Sequence, residues 1–306
     1  MTDAVAEGEC MAGISRREFV KTTAVGTAAA GLFASGVKLR ANPLGLPIGS
    51  QTYPHRAEIL KGNFAGVLKE LKQIGVDQVE LCGPIGTGYP DFAPLKDGAT
   101  ARKMILDAGL RPISAHFMMA DMRSNLAAAI AWSKALGLEQ MMVPTMGAPV
   151  PQGAPAPTYT MDDVKRLCDE FNKIAAEINR NGMRAGIHNE GFELSTINGR
   201  RTYDLCLEAT DPKLVGFQFQ MSTITNGLVA ADYFQKYPGR FFSMHVQDVG
   251  KPAQPGGRGT QLSVGQGIID WNKTWAAAKQ GGVRNYFVEQ SMELTRGSVA
   301  ALKTMK

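Results

Sequence analysis

Residues 64–82 read FAGVLKELKQIGVDQVELC. Phe64, Val67, Leu68, Leu71 and Ile74 recur at three- and four-residue spacing, which on a helix draws one apolar stripe. Gly75 follows, where a left-handed cap would close that helix. Gln78–Cys82 is then a short, mostly apolar run, the signature of a strand covered on both faces. The fold depends on whether this succession of helix, glycine and buried strand repeats.

It repeats along the chain. Strands are predicted at Pro47–Tyr53, Gln78–Cys82, Arg111–Phe117, Gln140–Pro144, Arg184–Glu190, Val215–Gln220, Phe241–Gln247 and Tyr286–Glu289. Amphipathic helices are predicted at Phe64–Ile74, Thr100–Ala108 before Gly109, Asn125–Leu136 before Gly137, Met161–Asn181 before Gly182, Ile269–Lys279 before Gly281, and Glu293–Met305. The units average about thirty residues, as βα repeats do, and their number predicts an α/β fold of the (β/α)8 barrel type over residues 46–306. An open doubly wound sheet would want a glycine-rich phosphate turn after its first strand. That strand instead runs into Gln51-Thr52-Tyr53-Pro54-His55, and the glycines between Gly83 and Gly88 after the second strand have no helix immediately behind them.

The first residues read as an address. Residues 15–21 are SRREFVK, which resembles the bacterial twin-arginine motif, and a weakly apolar stretch, TTAVGTAAAGLFASGV, follows at 22–37. That stretch is too short and too weakly apolar for a comfortable membrane span. Residues 1–41 are therefore read as a twin-arginine signal peptide, with cleavage candidates at Lys38-Leu39-Arg40-Ala41 and Ala34-Ser35-Gly36. The competing reading is a chance arginine pair before an uncleaved anchor. Export implies the Tat translocase as a transient partner, a periplasmic location and a mature form without a stable membrane span.

Composition agrees with one globular enzyme-sized domain. The chain is 44% hydrophobic and 20% charged, with a formal net charge of +5 spread without long runs, so no nucleic-acid footprint is read. Cys10, Cys82, Cys168 and Cys206 match neither a zinc motif nor a disulfide framework, and the last three are expected as buried free thiols. The long Pro- and Gly-containing stretches Met146–Thr160 and Val249–Gly267 follow strands four and seven, on the side where barrels carry their chemistry, and are expected to cover a substrate.

Four histidines follow the signal: His55, His116, His188 and His245, each at or just past the end of predicted strands one, three, five and seven. A lone histidine is more often a satisfied core residue, but four on one rim point to a site. His188 and Glu190, and likewise Gln218 and Gln220, should each share one side of their strand. His245, Gln247 and Asp248 end strand seven, and Glu289-Gln290 end strand eight. Imidazole and oxygen groups from four consecutive strand ends could meet on one divalent cation.

The segments IHNEGFEL (187–194), VGFQFQMS (215–222), YPGRFFSMHVQD (237–248), VGQGIIDW (264–271) and YFVEQS (286–291) resemble the sugar phosphate isomerase/epimerase family of xylose-isomerase-like barrels, which includes tagatose/psicose epimerases and inosose-processing enzymes. The resemblance implies a divalent metal ion (Mn, Mg, Co or Zn) held by His188, Gln220, His245 and Glu289. Gln220 stands where the family usually has Asp, and Glu190 is read as restoring the missing charge. The same resemblance implies enediolate chemistry on a non-phosphorylated ketose or keto-sugar, with Glu289 as base, Glu190 opposite it and His116 polarising or shuttling. His55, Gln247 and Glu193 are candidate substrate contacts, and a homodimer is expected from the habit of relatives. Glu80 is read first as a partner in an ion pair inside the barrel. Alternatives on the same scaffold are a lyase or hydrolase of 3-keto-glycosides, and a metal-free sugar-binding barrel.

Overall fold

Strands that are apolar on both faces must be covered on both, and a sheet closed on itself inside a sleeve of helices does this with no free edge. The computed structural model describes residues 42–83, 95–148, 157–254, 257 and 259–305. Strands β1 (Gly49–Gln51), β2 (Gln78–Cys82), β3 (Arg111–His116), β4 (Gln140–Val143), β5 (Arg184–His188), β6 (Val215–Gln220), β7 (Phe241–Val246) and β8 (Asn285–Val288) form a closed parallel barrel in chain order, β1 pairing with β8 through Gly49 opposite Phe287. All eight expected strands are present. Several leave the ladder one or two residues earlier than expected: β5 stops at His188 rather than Glu190, and β7 at Val246 rather than Gln247. The candidate site residues thus sit on the last rung or just beyond it.

Two register shifts interrupt the ladders, between Val79 and Glu80 on β2 and between Phe217 and Gln218 on β6. In each the extra residue lies on the partner strand, Ile113 on β3 and Phe242 on β7, and that strand takes the bend. Here both following residues, Glu80 and Gln218, are fully buried and hydrogen-bond each other.

The sleeve is made of α1 (Phe64–Ile74), α2 (Gly98–Asp107), α3 (Met119–Leu136), α4 (Met161–Arg180), α5 (Thr202–Ala209), α6 (Ala230–Lys236), α7 (Trp271–Gly281) and α8 (Met292–Thr304). On α1 the predicted stripe buries Phe64, Val67, Leu68 and Leu71, and Gly75 closes the helix at φ 102°. On α4 Thr160 and Asp163 form a reciprocal capping box. The expectation differs in three places. The third helix begins at Met119, not Asn125; Asn125 marks a kink, with φ −133°, rather than a start. The left-handed cap of α7 is Gly282, one residue past the expected Gly281. The short helices α5 and α6, of 8 and 7 residues, escaped the sequence reading because so few turns draw no clear stripe. The sleeve closes where α8 meets α1, through Arg296 to Glu70 at 2.8 Å and Lys303 Nζ to the Ile74 carbonyl at 3.0 Å.

Arg240 lies at the opposite rim, donating to the Leu207 carbonyl and Thr210 Oγ1, and its role there is structural. Cys82, Cys168 and Cys206 are buried free thiols. Among the described residues no helix is long and apolar enough to cross a membrane. The arginine motif at 15–21, Cys10, residues 84–88 of the glycine-rich stretch and residues 149–156 of the loop after β4 lie outside the described residues.

Candidate functional site

At the floor of the barrel mouth sits Glu80, wholly buried on β2. Gln51 Nε2 donates to its Oε1 at 2.9 Å and Gln218 Nε2 to its Oε2 at 2.8 Å. His116 Nε2 stands 3.2 Å from Oε1 while donating to Gln218 Oε1 at 2.7 Å, and His245 Nε2 bonds Oε1 directly. Gln218 also reaches Ser243 Oγ at 2.9 Å. The rings of His116 and His245 stack, with centroids 5.1 Å apart. Burial opposes the charge on Glu80, but the two imidazoles outweigh it and hold the carboxyl well below the usual carboxylate range. For His245, burial alone would lower the imidazole; the flanking carboxylates of Glu289 and Glu80 overcome it and push its pKa up to about 10.

Above this floor lies a second layer. Glu289 Oε2 is 3.1 Å from His245 Nδ1, and Glu190 Oε1 is 3.8 Å from His188 Nε2. One ligand atom each from His188, Glu190 and Glu289 fall within 4.8 Å of one another, and the same holds for His116, His188 and His245. His188 is wholly buried, yet neither ring nitrogen has a hydrogen-bond partner. Burial, then the neighbouring His245, lowers its pKa, so the ring is neutral and offers a lone pair. A buried imidazole without a partner is costly unless something meets it. Together with two carboxylates, and with His245 Nδ1 once a cation displaces its proton, this donor set suits a divalent cation of the Mn or Zn type.

Gln220 joins this layer with its amide reversed from the expected ligand role. Its Nε2 donates to Glu289 Oε2 at 2.6 Å and to Glu190 Oε1 at 3.4 Å, while its Oε1 accepts from Gln247 Nε2 at 2.7 Å. In this orientation the nitrogen, not the oxygen, faces the carboxylates, and Gln220 ties them together as a neutral donor. Gln247 in turn accepts from Gln261 Nε2 at 2.5 Å. Gln261 comes from the ribbon in which residues Gln261–Leu262 pair with Asp248–Val249 at the base of the loop after β7.

The remaining candidates are placed apart from this cluster. His55 ends the 3-10 turn after β1; it is buried, its Nε2 has no hydrogen-bond partner, and burial pulls its imidazole down to about 4. Glu193 accepts from Thr145 Oγ1 at 2.7 Å and the Met146 amide at 2.8 Å, stapling the loop after β4. Asp248 anchors the loop after β7, accepting from the Gly265 and Ile269 amides and from Trp271 Nε1. Asp270 caps α7 through the Lys273 amide.

Sequence reasoning passed over Gln51, Asn189, Ser243 and Gln261. Asn189 accepts from the Gln220 amide at 2.6 Å and so holds the end of β6. Gln51, at the end of β1, carried the same positional signal as the histidines; Gln261, inside a loop, carried none.

A family profile described as xylose isomerase-like TIM barrel matches residues 68–304. No curated protein matches the chain by sequence. Among solved structures, a sugar phosphate isomerase/epimerase from Parabacteroides distasonis aligns with a TM-score of 0.71 at 21% identity, over 88% of this chain and 96% of its own. A second protein so described, from the same organism, aligns at 0.68 and 24% identity, over 84% and 97%. The IOLI protein, solved with a zinc atom, aligns at 0.62 and 14% identity, over 84% and 94%. At these identities the likeness is one of fold.

Proposed function

The chain belongs to the xylose isomerase-like TIM barrel family, and from that premise we propose that it is a divalent-metal-dependent isomerase or epimerase of a non-phosphorylated ketose or keto-sugar. The observation that carries this reading is His188: a fully buried, unpartnered imidazole beside Glu190, Glu289 and His245 at the C-terminal mouth of the barrel. That rim is where barrels of this kind place their chemistry, and its neighbours in fold include proteins described as sugar phosphate isomerase/epimerases.

His188, Glu190, Glu289 and His245 through Nδ1 would hold the cation. When bound, it would act as a Lewis acid on neighbouring oxygens of a hydroxy-ketone and make the proton beside the carbonyl easier to remove. Glu289, whose side chain is 17% exposed, is placed to accept that proton. Glu190, half-exposed on the other side of Gln220, is placed to return one to the same or the neighbouring carbon. Gln247, its amide directed into the layer, offers hydrogen bonds to substrate hydroxyls. The substrate is taken as non-phosphorylated because the arginine motif at 15–21 implies export to the periplasm.

The test is solvent deuterium incorporation into a panel of ketoses, with metal analysis of the same protein before and after chelation. Exchange is expected to require metal, and Glu289→Gln is expected to lower it by at least about 100-fold while the melting curve is kept. Full exchange by the chelated protein would remove metal from the reading; full exchange by Glu289→Gln would remove Glu289 as base. Release of an aglycone from keto-glycosides would move the assignment to the lyase.

A further inference from the structure

We propose that Glu80 is a positioning residue: it holds Nε2 of both His116 and His245 as donors toward the floor, so that Nδ1 of His245 is the ring nitrogen turned to Glu289 and the mouth, where a cation would displace its proton. The cation-binding consequence rests on the reading above; the tautomer assignment does not.

The argument is one of donors and acceptors. A carboxylate only accepts, and a glutamine amide has one accepting and one donating end. Gln218 spends its Nε2 on Glu80 Oε2 and Ser243, so its Oε1 must accept, and His116 Nε2 at 2.7 Å must donate to it. Glu80 Oε1 receives Gln51 Nε2 at 2.9 Å and His245 Nε2, so that nitrogen also carries a proton. Both oxygens of Glu80 are therefore needed as acceptors, by groups from β1, β6 and β7 that approach from different sides of the barrel. Outer partners of this kind set the tautomer and ring orientation of a ligating histidine.

The rival role is packing, in which Glu80 merely fills the floor. The two roles order the conservative variants oppositely. Glu80→Asp is shorter but keeps two accepting oxygens; Glu80→Gln keeps the shape but turns an N–H2 toward groups that donate. Titrating the full-length chain with Mn2+ alone, we expect Glu80→Gln to weaken binding by about 10- to 100-fold and Glu80→Asp to weaken it less. The reverse order overturns the proposal. Independently of any metal, 15N spectra of the His245 ring should show Nε2 protonated in the wild type and Nδ1–H with bare Nε2 in Glu80→Gln. A wild-type Nε2 without a proton, or an unchanged tautomer in Glu80→Gln, overturns the proposal. If the wild type binds no Mn2+ while the 15N result is as expected, the metal reading falls and the positioning role stands.

Discussion

Single residues in this mouth are explained by what each can donate or accept. His188 stands out because neither of its ring nitrogens has a hydrogen-bond partner, and Glu80 because both of its oxygens are met by donors. Glu193 shows a third situation: burial raises its carboxyl pKa from 4.5 to about 8, against the loop donors of Thr145 and Met146 that favour the charged form. The acid therefore holds its proton in the folded chain where the unfolded chain has lost it. Its contribution to stability is complete below the unfolded value and is lost as pH rises through the folded one. Glu193→Gln, which never ionises, is expected to gain on the wild type as pH rises from about 4.5 to about 8, by at most about 1.4 kcal/mol per pH unit. Urea unfolding across that range measures the gap, and a gap that shrinks with rising pH would contradict the buried neutral acid.

At the level of elements, strand positions were readable because a buried parallel strand needs a short apolar run and little else competes for that pattern. Strand ends were less so: the ladder stops where side chains such as Asn189 take over the hydrogen bonds, and that exchange depends on the neighbouring strand. Long helices announced themselves by stripe and cap, whereas α5 and α6 did not. The capping box of α4 is local enough to test alone. Thr160 Oγ1 accepts from the Asp163 amide at 3.2 Å, and Asp163 Oδ2 from the Thr160 amide at 3.0 Å. Thr160→Ala removes one of these bonds and is expected to cost about 1 kcal/mol, read as a lower midpoint in thermal or urea unfolding with activity retained; an unchanged midpoint would show that water replaces the cap without loss.

On the scale of the whole molecule, closure is what brings the site together. Glu80, His116, Gln218 and His245 come from β2, β3, β6 and β7 and meet because the barrel wraps these strands around one axis. The same closure leaves the C-terminal ends of all strands on a common rim, so His116, His188 and His245, spread over 129 positions of the chain, become neighbours. The proposed export also belongs to the scale of the whole chain. Replacing Arg16 and Arg17 together by Lys is expected to strand the protein in the cytoplasm at its full precursor mass, while the wild type is recovered from the periplasm shortened near residues 34–41; periplasmic recovery of the double variant would remove the twin-arginine reading.

The amino-acid sequence by itself determined the number and order of the βα units and the rim on which the polar residues stand, because apolar periodicity and glycine caps are local and survive without knowledge of any partner. Only the tertiary structure decided that Glu80 is the hub beneath the histidines, that Gln220 presents its nitrogen to Glu190 and Glu289, and that Glu193 staples the loop after β4. The physical reason is that hydrogen-bond polarity is a property of pairs: a glutamine or a carboxylate takes its role from the group opposite, and those groups lie between 29 and 165 residues away along the chain.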